Sequence, residues 1–131
     1  MLSANLQAAI YAALQPIGID VYADHPQPDE PEDDSAFPYI TIGNDVATTW
    51  DSHTFLGGSH LVQIDVWSRQ NNFTEAKNTA DAIRAALHYQ PLTISGAKHV
   101  LTLNESNTFT RDPDGHTKRA MCMYRITLTE G

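Results

Sequence analysis

The side chains that could ligate a metal ion or attack a substrate are six histidines and a single cysteine. No two histidines form an HxH or HxxxH pair and none adjoins a second cysteine, so their spacing does not support a zinc site. Cys122 lies inside an alternating, strand-like pattern with no helix N-terminus after it, which is a poor position for lowering a thiol pKa. The sequence contains no GxSxG turn, Walker loop or GxGxxG loop. We therefore predict a protein that is not an enzyme and needs no cofactor.

A run of carboxylates is the densest cluster of charge in the chain. It places five acids within six residues, between prolines that prevent a helix or an inner strand: Asp29, Glu30, Glu32, Asp33 and Asp34. Hard cations prefer oxygen ligands, but this run lacks the spacing of a calcium loop. A solvated loop, a contact for a partner and, less favoured, a divalent-cation site all remain open.

A connection further along the chain carries the aromatic residues Trp50 and Phe55, together with His53. Aromatic side chains exposed on a loop often mark a contact site. The equally weighted alternative is that they fold back on the edge of a sheet.

Charge divides the chain into two unlike halves. Residues 1–68 contain ten acids and no Lys or Arg, whereas residues 69–131 contain eight basic residues and six acids. An acidic first half argues against binding to nucleic acid, which needs clusters of Lys and Arg. It suits a protein that meets another protein through opposite charges, and acids that only keep a surface soluble are an equally open alternative.

Two stretches have helical periodicity. Apolar residues repeat at intervals of three and four over residues 2–14, and Pro16 and Gly18 end that pattern. The second stretch, residues 72–87, begins with Asn72 as a cap and with Glu75 placed to reach back to it, as in a capping box. Both helices must bury an apolar stripe against something else.

Six strands are predicted from period-two alternation and turn signals. They cover residues 19–22, 37–43, 60–69, 92–94, 100–105 and 120–128, and Asp112-Pro113-Asp114-Gly115 forms the turn before the last strand. The order is αβββαβββ. We predict an α+β fold in which two helices pack on one face of a mostly antiparallel sheet.

Length and composition set the wider frame. A chain of 131 residues fits a single domain spanning residues 1–131. The apolar runs are shorter than a membrane span, and the N-terminus lacks the basic region of a signal peptide. We expect a soluble protein made in the host cytoplasm, with Cys122 as a buried, inert thiol.

Several landmarks occur together in a particular order. They are Val21-Tyr22-Ala23-Asp24, Phe37-Pro38-Tyr39-Ile40-Thr41-Ile42-Gly43, Ile64-Asp65-Val66-Trp67-Ser68-Arg69, the helix from Glu75 to Leu87, and Asp112-Pro113-Asp114-Gly115-His116-Thr117. In this order and spacing the chain resembles the siphophage tail-completion proteins, also called tail-to-head joining or tail-terminator proteins. The acidic run is longer and more charged than that family leads us to expect.

The resemblance implies a structural protein of the virion that acts without chemistry. Copies would form a six-fold ring that caps the tail tube at the tail-head junction, with the tail tube protein and a head connector or stopper protein as partners. A head-to-tail ring needs two different surfaces on one chain. We expect the acids of the first half to face basic residues of a neighbouring copy, with Trp50 or Phe55 supplying apolar contact. The basic candidates are Arg111, Lys118, Arg119 and Arg125.

Two other functions stay open. One is a different ring or tube component of a phage, prophage or gene-transfer particle. The other, less favoured, is a small ligand-binding α+β domain.

Overall fold

The computed structural model describes residues 3–22, 37–49, 57–113 and 115–130. Two helices and five strands occupy most of these residues. The elements are α1 (Ser3–Leu14), a 3-10 turn (Gln15–Ile17), β1 (Asp20–Tyr22), β2 (Tyr39–Thr49), β3 (Gly57–Ser68), α2 (Thr74–Leu87), β4 (Ala97–Arg111) and β5 (Lys118–Glu130). The first half of the chain contributes α1 and the strands β1, β2 and β3, and the second half contributes α2 and the strands β4 and β5.

The five described strands form one sheet in the order β1-β2-β3-β5-β4. β1 runs parallel to β2, and each of the other neighbouring pairs is antiparallel. β3 is the middle strand, paired with β2 on one side and with β5 on the other. The prediction of an α+β fold with a mostly antiparallel sheet is confirmed.

One face of the sheet carries the helices and the hydrophobic core. Alternate residues of β3 and β5 meet there, as in the pairs Ile64–Cys122 and Val62–Tyr124. The predicted stripe of α2, made of Ala76, Ala80, Ile83 and Leu87, is fully buried in this core. Leu6, Ile10 and Leu14 of α1 are buried in the same cluster. Period-two strands and period-3.6 helices therefore bury one shared apolar layer.

The predicted strand at residues 92–94 does not pair with the sheet. Leu92 and Ile94 are nevertheless 8% and 5% exposed, and the Ala97 N–H donates to the Ile94 carbonyl in a turn. An alternating pattern indicates only that every second side chain is buried. An extended segment can bury alternate side chains without pairing with another strand. The described strand order is therefore αβββαββ, with β4 and β5 both longer than predicted.

The predicted capping box at the start of α2 is wrong, because Phe73 rather than Asn72 occupies the N-cap position and its side chain does not cap the helix. Asn72 Oδ1 accepts the Thr74 N–H at 3.0 Å. Glu75 does not reach back to Asn72, because its Oε1 accepts the hydroxyl of Ser68 at 2.7 Å. Ser68 is completely buried, and a buried hydroxyl needs an acceptor. Glu75 therefore ties α2 to the end of β3.

Neither of the described helices is long and apolar enough to cross a membrane.

Candidate assembly surface

The acidic run and the aromatic connection lie outside the described residues. This applies to Asp29, Glu30, Glu32, Asp33, Asp34, Trp50, His53 and Phe55. Their predicted role as contacts stays a prediction. The four basic candidates are all described, and the structure separates them.

Arg111 is the exposed member of the basic set. It ends β4 directly opposite Lys118, the first residue of β5, and makes no ion pair within the described part of the chain. Lys118 itself is only 4% exposed, and its Nζ donates to the His116 carbonyl at 3.3 Å. Arg111 is therefore the basic candidate that is best presented to a partner.

Arg119 is held inside a cluster on the sheet face that has no helix. Its Nη2 donates to Asp65 Oδ2 at 2.8 Å, and its guanidinium lies 4.8 Å from the ring centre of Trp67. Asp65 also accepts from the Gln63 amide at 3.0 Å, while Trp67 Nε1 donates to Thr41 Oγ1 at 3.0 Å. The carboxylate, the amide and the indole N–H therefore have partners within the chain, whereas the buried Nε of Arg119 makes no hydrogen bond among the described residues.

Arg125 lies further along the same face of β5. It donates to both carboxylate oxygens of Glu105, at 3.0 Å and 3.3 Å, and to Ser59 Oγ at 3.1 Å. The Arg125 and Glu105 side chains are 40% and 39% exposed, so this pair is partly solvated. A partner that used Arg119 or Arg125 would share or replace an intrachain carboxylate.

The sheet converts the charge division of the sequence into a division in space. β1, β2 and β3 come from the half without Lys or Arg and lie together on one side of the sheet. β5 and β4 come from the basic half and lie together on the other side. We call the β1 edge acidic because Asp20 is its one charged residue, and the β4 edge basic because the exposed Lys98 and Arg111 outnumber Glu105. Sequence reasoning found the two halves, but only the strand order shows that they become two opposite edges.

Cys122 and His60 are buried, and His99 is half-buried. Burial, with smaller contributions from Asp65 and Asp81, raises the pKa of Cys122 to about 12, so the prediction of a buried, inert thiol is confirmed. His60 is buried and holds the Asp45 carboxylate at 3.1 Å. His99 Nε2 lies 2.6 Å from Thr102 Oγ1, and burial lowers the pKa of His99. Among the residues that the structure describes, no three His, Cys, Asp or Glu side chains converge on a possible metal position.

A cleft of about 410 Å³ lies between the end of α1 and β1. Tyr11, Gln15, Asp20 and Tyr22 line it, and all four are exposed side chains. It is an open surface feature, unlike the enclosed apolar pockets that typically hold small ligands.

Comparison with known proteins gives concordant matches. The family model described as tail completion protein gp17 matches residues 8–129. The tail completion protein gp17 of Bacillus phage SPP1 is 26% identical over 100 residues, which cover 76% of this chain and 74% of that protein. A chain in the virion of a native gene transfer agent particle has the same fold, with a TM-score of 0.85 and 24% identity over 99% of this chain and 98% of that one.

Proposed function

Because the chain belongs to the tail completion protein gp17 family and is a structural component of the phage tail, we propose that its copies form a ring that caps the tail tube and joins the tail to the head connector. The family is a structural component of the virion, so the chain is not an enzyme. Its work is association with other virion components, and the proposal concerns which surfaces achieve this.

The observation that carries the ring is the opposite charge of the two sheet edges. A ring built head to tail joins one surface of each copy to a different surface of the next. The acidic β1 edge and the basic β4 edge are such a pair of surfaces on one chain. Opposite charges would bring copies together in one orientation and disfavour two like edges.

Arg111 is the first basic residue that we propose for the contact with a neighbour, because it is exposed at the end of β4. Arg119 and Arg125 follow, because each keeps part of its guanidinium exposed beside its own carboxylate. The acids of the run at residues 29–34 would face them from the next copy. Charges at the rim set encounter and register, so we assign most of the contact energy to apolar residues such as Trp50 and Phe55.

The ring would have six copies on the tail. One side would meet the tail tube protein and stop tube growth, and the other would present a docking face to the head connector or stopper protein. This places the protein at the tail-head junction.

The decisive experiment is electron microscopy of particles from the source element in which this gene is stopped early. We expect filled heads beside separate, overlong or uncapped tails. Adding the purified protein should then restore joining. Particles that stay joined and normal without the gene would remove the role.

The gene transfer agent match favours one alternative, in which the chain is a different ring or tube component of a phage-like tail. That match is in fold, with 24% identity. A tube subunit would polymerise without a partner into open-ended filaments, whereas a terminator ring closes. Negative-stain microscopy of the purified protein at high concentration separates the two, because only a tube subunit gives filaments.

A further inference from the structure

We propose that neighbouring copies are joined by main-chain pairing between the outer half of β4 and β1 of the next copy, so that the sheet continues from one subunit into another. This inference rests on the proposed ring and names the interface within it. Four observations on the described residues support it.

First, one half of the β4 edge is already occupied. The segment after α2 lies along it, where the Tyr89 N–H donates to the Thr102 carbonyl at 2.9 Å. In the same place the Asn104 N–H donates to His88 Nδ1 at 2.9 Å. These bonds occupy the outward carbonyl of Thr102 and the outward N–H of Asn104, so a further strand cannot pair with β4 at these two residues.

Second, the other half of β4, residues 106–111, has its outward main-chain groups open among the described residues. The Asp112 N–H donates to the Thr117 carbonyl across the β4–β5 turn at 2.8 Å. In antiparallel pairing the bonded residues alternate, so Thr110 and Thr108 bond inward to β5. The N–H and C=O groups of Asn107, Phe109 and Arg111 therefore point away from β5, outward in the plane of the sheet.

Third, this open edge lacks the usual protection. Natural edge strands are shielded by prolines, inward-pointing charges, bulges or a covering segment. The bulge near Asn104 and the segment at His88–Tyr89 protect only the first part of β4. Residues 106–111 continue for six residues, with Thr-Phe-Thr at their centre, a composition typical of strands.

Fourth, the opposite edge of the sheet is complementary in charge and in direction. β1 carries the exposed Asp20, and β4 ends at the exposed Arg111. β1 is parallel to β2, and three antiparallel steps separate β2 from β4, so β4 runs antiparallel to β1. A neighbour whose sheet continues in the same orientation therefore presents its β1 antiparallel to β4.

β1 has only three residues, so this pairing adds few hydrogen bonds. It would fix the register of the ring while side-chain contacts supply most of the affinity. The test must therefore be made in the assembled state, on capped tails.

The first test is disulfide cross-linking between variants that each carry one introduced cysteine in addition to the buried Cys122. Asp20, Tyr22 and Thr110 all lie on the sheet face without helices, as their register partners Tyr39, Thr41 and Arg119 show. Uncapped tails are mixed with Thr110→Cys protein together with either Asp20→Cys or Tyr22→Cys protein, oxidised, and analysed by non-reducing gel and peptide mapping. A disulfide requires Cα atoms within about 7 Å of each other, and the buried Cys122 stays out of the reaction.

We expect a disulfide between position 110 and position 20 or 22 of another copy. The matched control pairs Thr110→Cys with Ala85→Cys, an exposed position on α2, and should give none. Capped tails that show no link from position 110 to position 20 or 22, or that link position 110 only to itself, would overturn the edge pairing while leaving the ring intact. Failure of the unmodified protein to cap tails would instead overturn the proposed function.

The second test removes one outward donor. Arg111→Pro deletes an N–H that points away from β5, so the fold should keep its inner ladder. Arg111→Ala deletes the same charge and keeps the N–H. We expect capping to be lost with Arg111→Pro and retained, with less salt sensitivity, in Arg111→Ala, both variants being checked for folding by circular dichroism. Equal capping by the two folded variants would show that the edge donor is not used.

Discussion

Arg119 and Arg125 lie on one face of β5 and pair with carboxylates that differ in their exposure to solvent. Asp65, the partner of Arg119, is 6% exposed, whereas Glu105, the partner of Arg125, is 39% exposed. Breaking an ion pair at a buried carboxylate lowers the free energy of unfolding more than breaking one at a solvated carboxylate, because water cannot replace the missing partner. The first pair therefore stabilises the fold, and the second is available for exchange with a neighbouring chain.

We expect Asp65→Ala to lower the free energy of unfolding by about 2 kcal/mol, in the range for hydrogen bonds to charged groups. Glu105→Ala should lower it by less than about 1 kcal/mol, as for exposed ion pairs. Urea denaturation of both variants measures the difference. A larger loss for Glu105→Ala would contradict this account of the two pairs.

The buried hydroxyl of Tyr124 makes no hydrogen bond within the described part of the protein, and burial raises the pKa of this residue. We expect Tyr124→Phe to leave the free energy of unfolding unchanged or to raise it by up to about 1 kcal/mol, since it removes an unsatisfied group. Thr41→Val is the contrast, because it breaks a bond that Trp67 makes. If denaturation curves give Tyr124→Phe a lower free energy of unfolding than Thr41→Val, the Tyr124 hydroxyl must have a partner.

At the scale of elements, the segment between α2 and β4 packs by side chains and protects an edge by its main chain. Ile94 is buried although it has no strand partner. We expect Ile94→Ala to lower the free energy of unfolding by about 2–5 kcal/mol, as for other core truncations. Thr93→Ala, at the exposed position beside it, should change that energy by less than about 0.5 kcal/mol. Equal denaturation midpoints would show that the segment is not part of the core.

The same segment gives the fold a dependence on pH. His88 Nδ1 accepts the Asn104 N–H, which a protonated imidazole cannot do, and desolvation together with Arg84 lowers the pKa of His88. Burial also lowers the pKa of His99. The unfolded chain therefore takes up protons first, so this stability is present above the unfolded pKa of about 6.5 and is lost as the pH falls below it.

We expect urea denaturation midpoints to fall between neutral pH and mildly acidic pH. His88→Asn keeps an acceptor that does not titrate, so its midpoint should fall less than that of the unmodified protein. A variant with the same slope against pH would assign the effect to His99 or to the carboxylates.

At the scale of the whole molecule, the separation of charge predicts an effect of salt on assembly. The Debye length shortens from about 10 Å at 0.1 M to about 3 Å at 1 M. Contacts between exposed acids and Arg111 should weaken over this range. We therefore expect fewer capped tails at high salt, counted by microscopy. Unchanged capping would mean that the edges meet without help from charge.

Much of this fold could be predicted from the sequence, because the core residues of each strand and helix recur at the spacing of that element. The alternation of Ala120, Cys122, Tyr124, Ile126 and Leu128 placed five buried residues correctly. The stripe of α2 did the same at helical spacing. In both cases a pattern within one element was enough to determine which side chains are buried.

Contacts between distant segments could not be predicted in this way. Arg119 meets Asp65 across 54 positions of sequence, and neither residue has a local pattern that identifies the other. Glu75 binds Ser68 because that hydroxyl is buried, which depends on the packed fold. The outer half of β4 is polar, so it lacks the apolar alternation that would have extended the predicted strand.

The two bulges of β4 have a consequence for insertions and deletions. They lie between His99 and Leu101 and between Asn104 and Ser106, so Val100 and Glu105 have no residue opposite them in the β4–β5 register. Removing a bulged residue leaves every other residue of the strand opposite its present neighbour, whereas removing a paired one turns all residues beyond it to the opposite face. Phe109 stays on the helix side of the sheet only if the residues between Asn104 and Phe109 keep their present partners on β5. Relatives of different length in this strand should therefore gain or lose residues at 100 and 105, the two positions where the number of amino acids can change while the remaining residues keep their faces of the sheet.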